Sequence, residues 1–327
     1  MPRDEAISYV FRRQRIDKAS RRRDVDSLVR ERGYVRSDQE LTCRVADRAA
    51  SKRFMETARL AKAILSPPYV GYASMEYVSL LRAAKQSGMS EDMRTVERII
   101  KERGPVSRKE IQLRSPFSYN KTLDMVSALS KRCVTCQDSD SFYRWVKPNG
   151  MTRGEAVREL ARRHFADFGL FSAEKMSQFL DLRMGETRSV LSDLEQEGLL
   201  AKGFFVEGDP TLYWMLAEDA GKRFAVFTGS FVLNTQDNLS LYLRDSIRRE
   251  VGGTRAVIIQ GTSIIGSFKG KMAPSGVKME EFEGSNLALR IVQDQAKAYG
   301  VSTVSRRAEE DEDWDASAFY DRMNPGV

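Results

Sequence analysis

The sequence predicts an α+β fold in which two successive three-helix-plus-hairpin units are followed by a small β-rich, barrel-like domain. Three observations predict it. Helical patterning repeats with a 65-residue offset, a polar turn closes each repeat, and near Phe224 the pattern changes to short apolar runs punctuated by glycine. At 327 residues the chain is long enough for two or three domains of roughly 100–200 residues each. With 30% charged and 41% hydrophobic residues it has the balance of a globular chain and not of a disordered one.

Residues 1–88 read as a basic, helical N-terminal domain. Residues 1–62 hold 17 Lys and Arg against 10 Asp and Glu, so this segment alone carries the chain's net charge of +7. Arg12, Arg13 and Arg15, and then Arg21, Arg22 and Arg23, are candidates for phosphate contact through counterion release. The alternative for such a run is a solvated helix face that binds nothing. The stretch from Arg36 to Ala50 shows no hairpin signal, so a degenerate winged helix and a helical bundle are both open for this region.

Residues 89–148 form the first repeat. TVERIIKERGPVSRKEI carries Val96, Ile99 and Ile100 at helical spacing, breaks at Gly104-Pro105 and restarts behind Ser107. A third helix follows over 118–132, and CVTCQDSDSFYRWV alternates around the turn Asp138-Ser139-Asp140. Residues 149–217 repeat the order. LARRHFADFGLFSAEKM breaks at Gly169, 65 residues after Gly104, and Leu194 stands 65 after Leu129. A hairpin follows around Gly208-Asp209-Pro210. Helix, short helix, helix, hairpin is the order of a winged helix, whose third helix can enter a major groove while the hairpin reaches phosphates. Helix 118–132 suits that role, with Lys121, Lys131 and Arg132 against Asp124. Helix 186–197 does not, because Glu186, Asp193, Glu195 and Glu197 outweigh Arg188, so the second unit is expected to serve as scaffold.

Residues 218–305 form the β-rich domain. FAVFTGSFVL reads as strand, LSLYLRDSIRREVGG as helix with a Gly-Gly stop, and Val257 to Gln260 as one arm of a hairpin with Ile264 to Phe268. Lys269 and Lys271 at the end of that hairpin are further phosphate candidates. A last helix is expected from about Asn286 to Tyr299, and residues 306–327 are an acidic tail.

Several function classes are disfavoured. No stretch approaches the roughly 20 apolar residues of a membrane helix, and MPRDEAISYVFRRQR has no apolar signal-peptide core, so a cytoplasmic, nucleoid-associated protein away from membranes is expected. Cys43, Cys133 and Cys136 make no disulfide framework, in keeping with a reducing compartment. The CVTC tetrapeptide lacks a second ligand pair, since His164 is the chain's one histidine, and the two cysteines read as small apolar residues. Neither a metal nor a cofactor is expected.

The helix-rich start, the tandem units with their glycine breaks and the β-rich end together resemble the AlkZ/YcaQ-like winged-helix DNA glycosylases, and the related C-terminal module of Lhr-type helicases. The resemblance spans most of residues 5–270 and is strongest at RHFADFGLFSAEKMSQFLDLRMGETRSVLSDLEQEGLL. It implies chemistry in a short Gln-apolar-Asp or Gln-apolar-Gln motif, and the corresponding stretch is GYVRSDQ. Arg36 stands at the motif's glutamine, Ser37 at its apolar centre, and Asp38 keeps the carboxylate, with Gln39 as a shifted source of an amide. A single carboxylate can stabilise an oxocarbenium-like transition state and orient water. Arg36, which accepts no hydrogen bond, can instead grip a flanking phosphate.

These readings lead to a protein of double-stranded DNA, acting as a repair glycosylase on damaged or crosslinked bases through Asp38. The alternatives are a non-catalytic DNA-binding or regulatory protein on the same scaffold, and a protein-interaction scaffold. Protein partners are not specified by the sequence.

Overall fold

The computed structural model describes residues 1–16, 25–37, 40, 44, 60–66, 69–86, 88–253, 255–273, 276–298 and 304–305. Arg21, Arg22, Arg23, Asp38, Gln39, Cys43 and the tail 306–327 lie outside the described residues, as does the side chain of Lys271. The fold is α+β, and among the described residues the strands make three sheets.

The N-terminal region begins with helix α1 (Arg3–Arg13) and helix α2 (Val25–Arg32). On α1, Ala6, Tyr9 and Val10 are buried at helical spacing with Phe11 beside them, and they fasten the helix to the chain's second half. Tyr9 packs on Phe224 at 4.4 Å, and Phe11 meets Phe227 and Phe231 edge-on at 5.5 and 5.3 Å. Strand β1 (Tyr34–Val35) pairs antiparallel with β3 (Tyr69–Ala73), which pairs with β2 (Ala61–Ser66), and α3 (Met75–Ala84) follows. A hairpin thus closes the N-terminal region, at 61–73 and beyond the 36–50 stretch in which none was expected.

The first repeat contains α4 (Glu91–Arg103), α5 (Arg108–Arg114), α6 (Tyr119–Lys131) and the ribbon β4 (Thr135–Gln137) with β5 (Tyr143–Trp145). Ser107 and Glu110 start α5 with a reciprocal capping box. Val96, Ile100, Ile111, Val126 and Leu129 form a core of the unit's own. Its ribbon joins the N-terminal hairpin through β4 and β2, giving the sheet order β1-β3-β2-β4-β5.

The second repeat contains α7 (Arg153–Phe168), β6 (Leu170–Ser172), α8 (Ala173–Leu180), α9 (Met184–Gln196), β7 (Leu200–Gly203) and β8 (Tyr213–Leu216), with sheet order β6-β8-β7. Thr152 and Glu155 cap α7, and Gly169 ends it at φ 79. Any Cβ on Gly169 would stand 2.3 Å from the Tyr9 hydroxyl oxygen, so this turn needs glycine for conformation and for space. Phe165, Phe168 and Phe171 belong to one continuous core with α1, α3 and the residues from Phe231 to Ile247.

The C-terminal part comprises β9 (Ser230–Leu233), α10 (Asn238–Tyr242), α11 (Arg244–Val251), β10 (Ala256–Gln260), β11 (Ser263–Ala273), β12 (Gly276–Gly284), α12 (Asn286–Ala298) and β13 (Val304–Ser305). The sheet runs β13-β12-β11-β10-β9, open at both edges among the described residues, with Ala288, Val292 and Ala296 of α12 packed over Ile258 and Phe268. The expected pairing of 257–260 with 264–268 is present, from Val257↔Ser267 to Ile259↔Ile264, with the register shifting after Ile258. Residues 224–229 differ from expectation. They are not strand, because the Phe224 and Phe227 amides donate to Glu5 Oε1 (2.6 Å) and Ser8 Oγ (2.8 Å) on α1 and their rings pack there. No helix among the described residues is long and apolar enough to cross a membrane.

Candidate nucleic-acid site

Between α2 and β1 the chain turns at Gly33, whose φ is 81 and where a Cβ would lie 2.4 Å from the Tyr77 ring. This close approach delivers Tyr34 onto Tyr77, stacked at 4.8 Å, and edge-on to His164 at 5.9 Å. His164 in turn meets the ring of Phe179 at 5.3 Å. These four residues wall a cavity of about 360 Å3 that opens between the N-terminal region, the end of α6 and helices α7 and α8. Its volume falls in the range of ligand pockets, roughly 300–1,000 Å3. Leu81, Leu160 and Leu241 complete an apolar interior, while Arg36, Lys85, Lys131, Arg132 and Arg153 bring cations to it.

Burial pushes the His164 imidazole down to about 4, with Asp167 opposing and Arg32 reinforcing the effect, so the ring is neutral at physiological pH. Burial likewise raises the Tyr34 hydroxyl well above its ordinary value. The two polar atoms lie 3.4 Å apart, Tyr34 Oη from His164 Nδ1, inside an otherwise apolar wall.

Behind the Arg36 side of the cavity lies a buried ionic cluster. Arg32 spans Asp167, with Nε to Oδ1 at 2.5 Å and Nη2 to Oδ2 at 2.6 Å, and its Nη1 donates to Glu40 Oε1 at 2.8 Å. Arg44 spans Asp237 at 2.7 and 2.8 Å, and both guanidinium groups donate to Gln14 Oε1. Glu40 is fully buried and also accepts from the Arg36 amide at 2.8 Å and from Asn238 Nδ2 at 3.1 Å. Its backbone amide donates to Ser37 Oγ at 3.2 Å. Ser37 and Glu40 are thereby tied to each other. Burial raises the Glu40 carboxyl above its usual range, with the charge of Arg44 opposing. Burial also pushes Asp237 upward, but Arg44 more than offsets this and holds it below the usual range.

Sequence reasoning missed Glu40, Arg44 and Asp237, whose partners are set by tertiary contact across 193 residues. A signal for Glu40 was present in the Ser37-x-x-Glu40 spacing, which is that of a capping box.

The structure distributes the expected phosphate ligands unevenly. Arg36, Lys131 and Arg132 converge on the cavity. Arg12 is exposed on α1. Arg13 is ion-paired to Asp219 and Glu218, Arg15 to Glu31, Lys121 to Asp92 at 2.7 Å and Lys269 to Glu281 at 2.8 Å. The acidic residues of α9 are also engaged internally. Glu186 pairs with Arg153, Asp193 and Glu197 with Arg158, and Glu197 with Arg162, so this face of α9 is turned to α7. Cys133 and Cys136 are buried free thiols, and no cluster fit to hold a metal occurs among the described residues.

Comparison with known proteins gives two findings. A family model described as DNA glycosylase AlkZ-like matches residues 4–249. Among solved structures, the Streptomyces sahachiroi DNA glycosylase AlkZ is similar, with a TM-score of 0.65 and 16% identity, covering 94% of this chain and 99% of that one. A search of curated protein sequences returned no match.

Proposed function

Because the chain belongs to the AlkZ-like DNA glycosylase family, we propose that it binds double-stranded DNA in the cytoplasm and hydrolyses the N-glycosidic bond of damaged or crosslinked bases. The observation that carries this reading is the aromatic cavity of about 360 Å3 whose lining also includes Arg36, Lys85, Lys131 and Arg132. An enzyme acting on a base in a duplex has to extrude it, and an extruded base needs an apolar, aromatic slot while its flanking phosphates need positive charge. Tyr34, Tyr77, His164 and Phe179 supply the slot, and Lys131 and Arg132 supply the charge. Asp38 stabilises the oxocarbenium-like sugar and takes a proton from the attacking water, with the Gln39 amide assisting.

In this reading residues 1–88 and 89–148 flank the duplex, 149–217 is the scaffold that fixes α7 and α8, and 218–305 closes the ionic cluster through Asp237 and Asn238. Incubation with duplexes carrying alkylated, deaminated or crosslinked bases, followed by detection of abasic sites, tests it. Base release is expected, and Asp38→Asn is expected to abolish it. Unchanged release by that variant removes Asp38 from the mechanism. Binding without release from any substrate favours the second reading, a non-catalytic DNA-binding protein. That reading draws on Arg36, which stands where the resemblance places a glutamine and whose Nη1 donates to the Asp237 carbonyl at 3.1 Å.

A further inference from the structure

Among the described residues, four buried polar side chains line the cavity, those of Tyr34, Tyr77, His164 and Asn238, whereas its charged lining residues are half-buried or exposed. Two of the four are fixed from behind and free in front. Asn238 is 3% exposed, and its Nδ2 donates to both oxygens of Glu40, at 3.1 and 3.4 Å. Glu40 also accepts from Arg32 Nη1, so it takes the amide's nitrogen and not its oxygen, and Asn238 Oδ1 is turned away from it. His164 is 5% exposed, and its Nδ1 lies 3.4 Å from Tyr34 Oη. That hydroxyl has no other partner among the described residues, so it donates to Nδ1 and leaves the ring proton on Nε2. Burial keeps the imidazole neutral near neutral pH, so Nε2–H is a donor without a charge. Asn238 Oδ1 and His164 Nε2 have no hydrogen-bond partner among the described residues, and neither is one of the polar atoms sealed inside the fold without one. Both therefore face open space, and the space that these two residues share is the cavity.

One fixed donor and one fixed acceptor in an aromatic, apolar wall discriminate by what a ligand lacks. A heterocycle with a matching acceptor and a matching donor satisfies both atoms, whereas one without the donor leaves Asn238 Oδ1 desolvated and unmet. The Tyr77 hydroxyl adjusts to either kind of group and adds no preference. Purines all carry acceptors at their ring nitrogens, so the exocyclic amino group is what varies among them. Resting on the glycosylase reading, we propose that His164 and Asn238 determine which base this cavity takes. His164 Nε2–H donates to a ring nitrogen or carbonyl of the extruded base, and Asn238 Oδ1 accepts from its exocyclic amino group. The cavity thereby selects bases that bear an amino group over those that lack one.

Equilibrium binding of the full chain tests this with three duplexes alike except at one position, which carries 2,6-diaminopurine, unsubstituted purine or no base. A tetrahydrofuran abasic analogue stands opposite in each, so that no base pair has to be broken. Wild type is expected to bind the diaminopurine duplex about fivefold tighter than the purine duplex, the worth of one neutral hydrogen bond. Asn238→Ala is expected to bring the two within about twofold of each other. His164→Phe, which keeps an aromatic ring, is expected to weaken both about fivefold relative to the base-free duplex and to leave their ratio in place. Wild-type affinities within about twofold of each other, a ratio that survives in Asn238→Ala, or base dependence unchanged in His164→Phe overturns the proposal. Equal weakening of all three duplexes by either variant, the mark of a structural role, also overturns it. Thermal melting of both variants confirms that they fold. Abasic-site formation from a duplex carrying 7-methylguanine, followed alongside, separates the proposal from the reading on which it rests. Release by a wild type that binds both purines alike refutes the selection and leaves hydrolysis standing. Discrimination without release from any damaged duplex leaves the selection standing and refutes hydrolysis.

Discussion

Replacing Glu40 by Ala should be among the most damaging single changes available near the cavity. The carboxylate is fully buried and accepts from Arg32 Nη1, the Arg36 amide and Asn238 Nδ2. Removing one partner of a buried ion pair costs about 3–5 kcal/mol, because the remaining charge stays desolvated. Arg32 keeps both Asp167 oxygens and Gln14 Oε1, so the low end applies and the expected loss is about 3 kcal/mol. With a urea slope of about 2–3 kcal/mol per molar, the unfolding midpoint should fall by about 1 M. Glu40→Gln should lose less, since its carbonyl can still accept from Arg32 or the Arg36 amide while its amide group opposes the Asn238 donor. A midpoint shift under about 0.2 M for Glu40→Ala would show that the cluster adds little to stability.

Other expected outcomes follow from the same contacts. Gly33→Ala places a Cβ against Tyr77 at positive φ, and thermal melting should show a loss of about 2 kcal/mol or more, with a smaller loss refuting the strained turn. His164 titrates near 4 when folded against 6.5 in its ordinary state, so the unfolded chain binds the proton first. Its contribution to stability is thus complete above about pH 6.5 and lost as pH falls toward 4, amounting to about 3 kcal/mol, and urea titrations of wild type and His164→Gln should diverge over that window. Substituting Lys131 and Arg132 together by Ala should weaken duplex binding for all sequences alike and reduce the log–log salt slope by about one per lost phosphate contact. An unchanged slope would place the duplex elsewhere.

The helical repeat was readable because local signals agree with tertiary roles. Ser107, Thr152 and Ser172 each start a helix with a side-chain cap, and Gly169 stops one. The apolar spacing around Val96 and Ile100 marks a face that is buried as expected. The N-terminal hairpin was missed because its strands at 61–66 and 69–73 find their neighbours in β1 and β4, and short strands stabilised by distant pairing leave weak local patterns. Charge was the least readable property. A run such as Arg12-Arg13-Gln14-Arg15 appears uniform in sequence, yet it splits into an exposed Arg12, an Arg13 paired with Asp219, a buried Gln14 serving both cluster guanidiniums and an Arg15 paired with Glu31. Nothing in residues 12–15 encodes Asp219 or Arg44. The cavity was also hidden, since its walls come from Tyr34, Tyr77, His164 and Phe179, four positions whose proximity exists only after folding.

The link from Arg44 to Asp237 sets a schedule for biosynthesis. The two residues are 193 positions apart, so at about 5–20 residues per second a ribosome takes roughly 10–40 s after making the first before it makes the second. Throughout that interval the emerging amino-terminal half holds an arginine that lacks the carboxylate it spans in the finished fold, with Glu40 Oε1 at 4.0 Å and Gln14 Oε1 at 3.0 Å among its partners, and burying it is correspondingly more costly. The buried ionic cluster is therefore completed only late in translation, when nearly three-quarters of the molecule has been made.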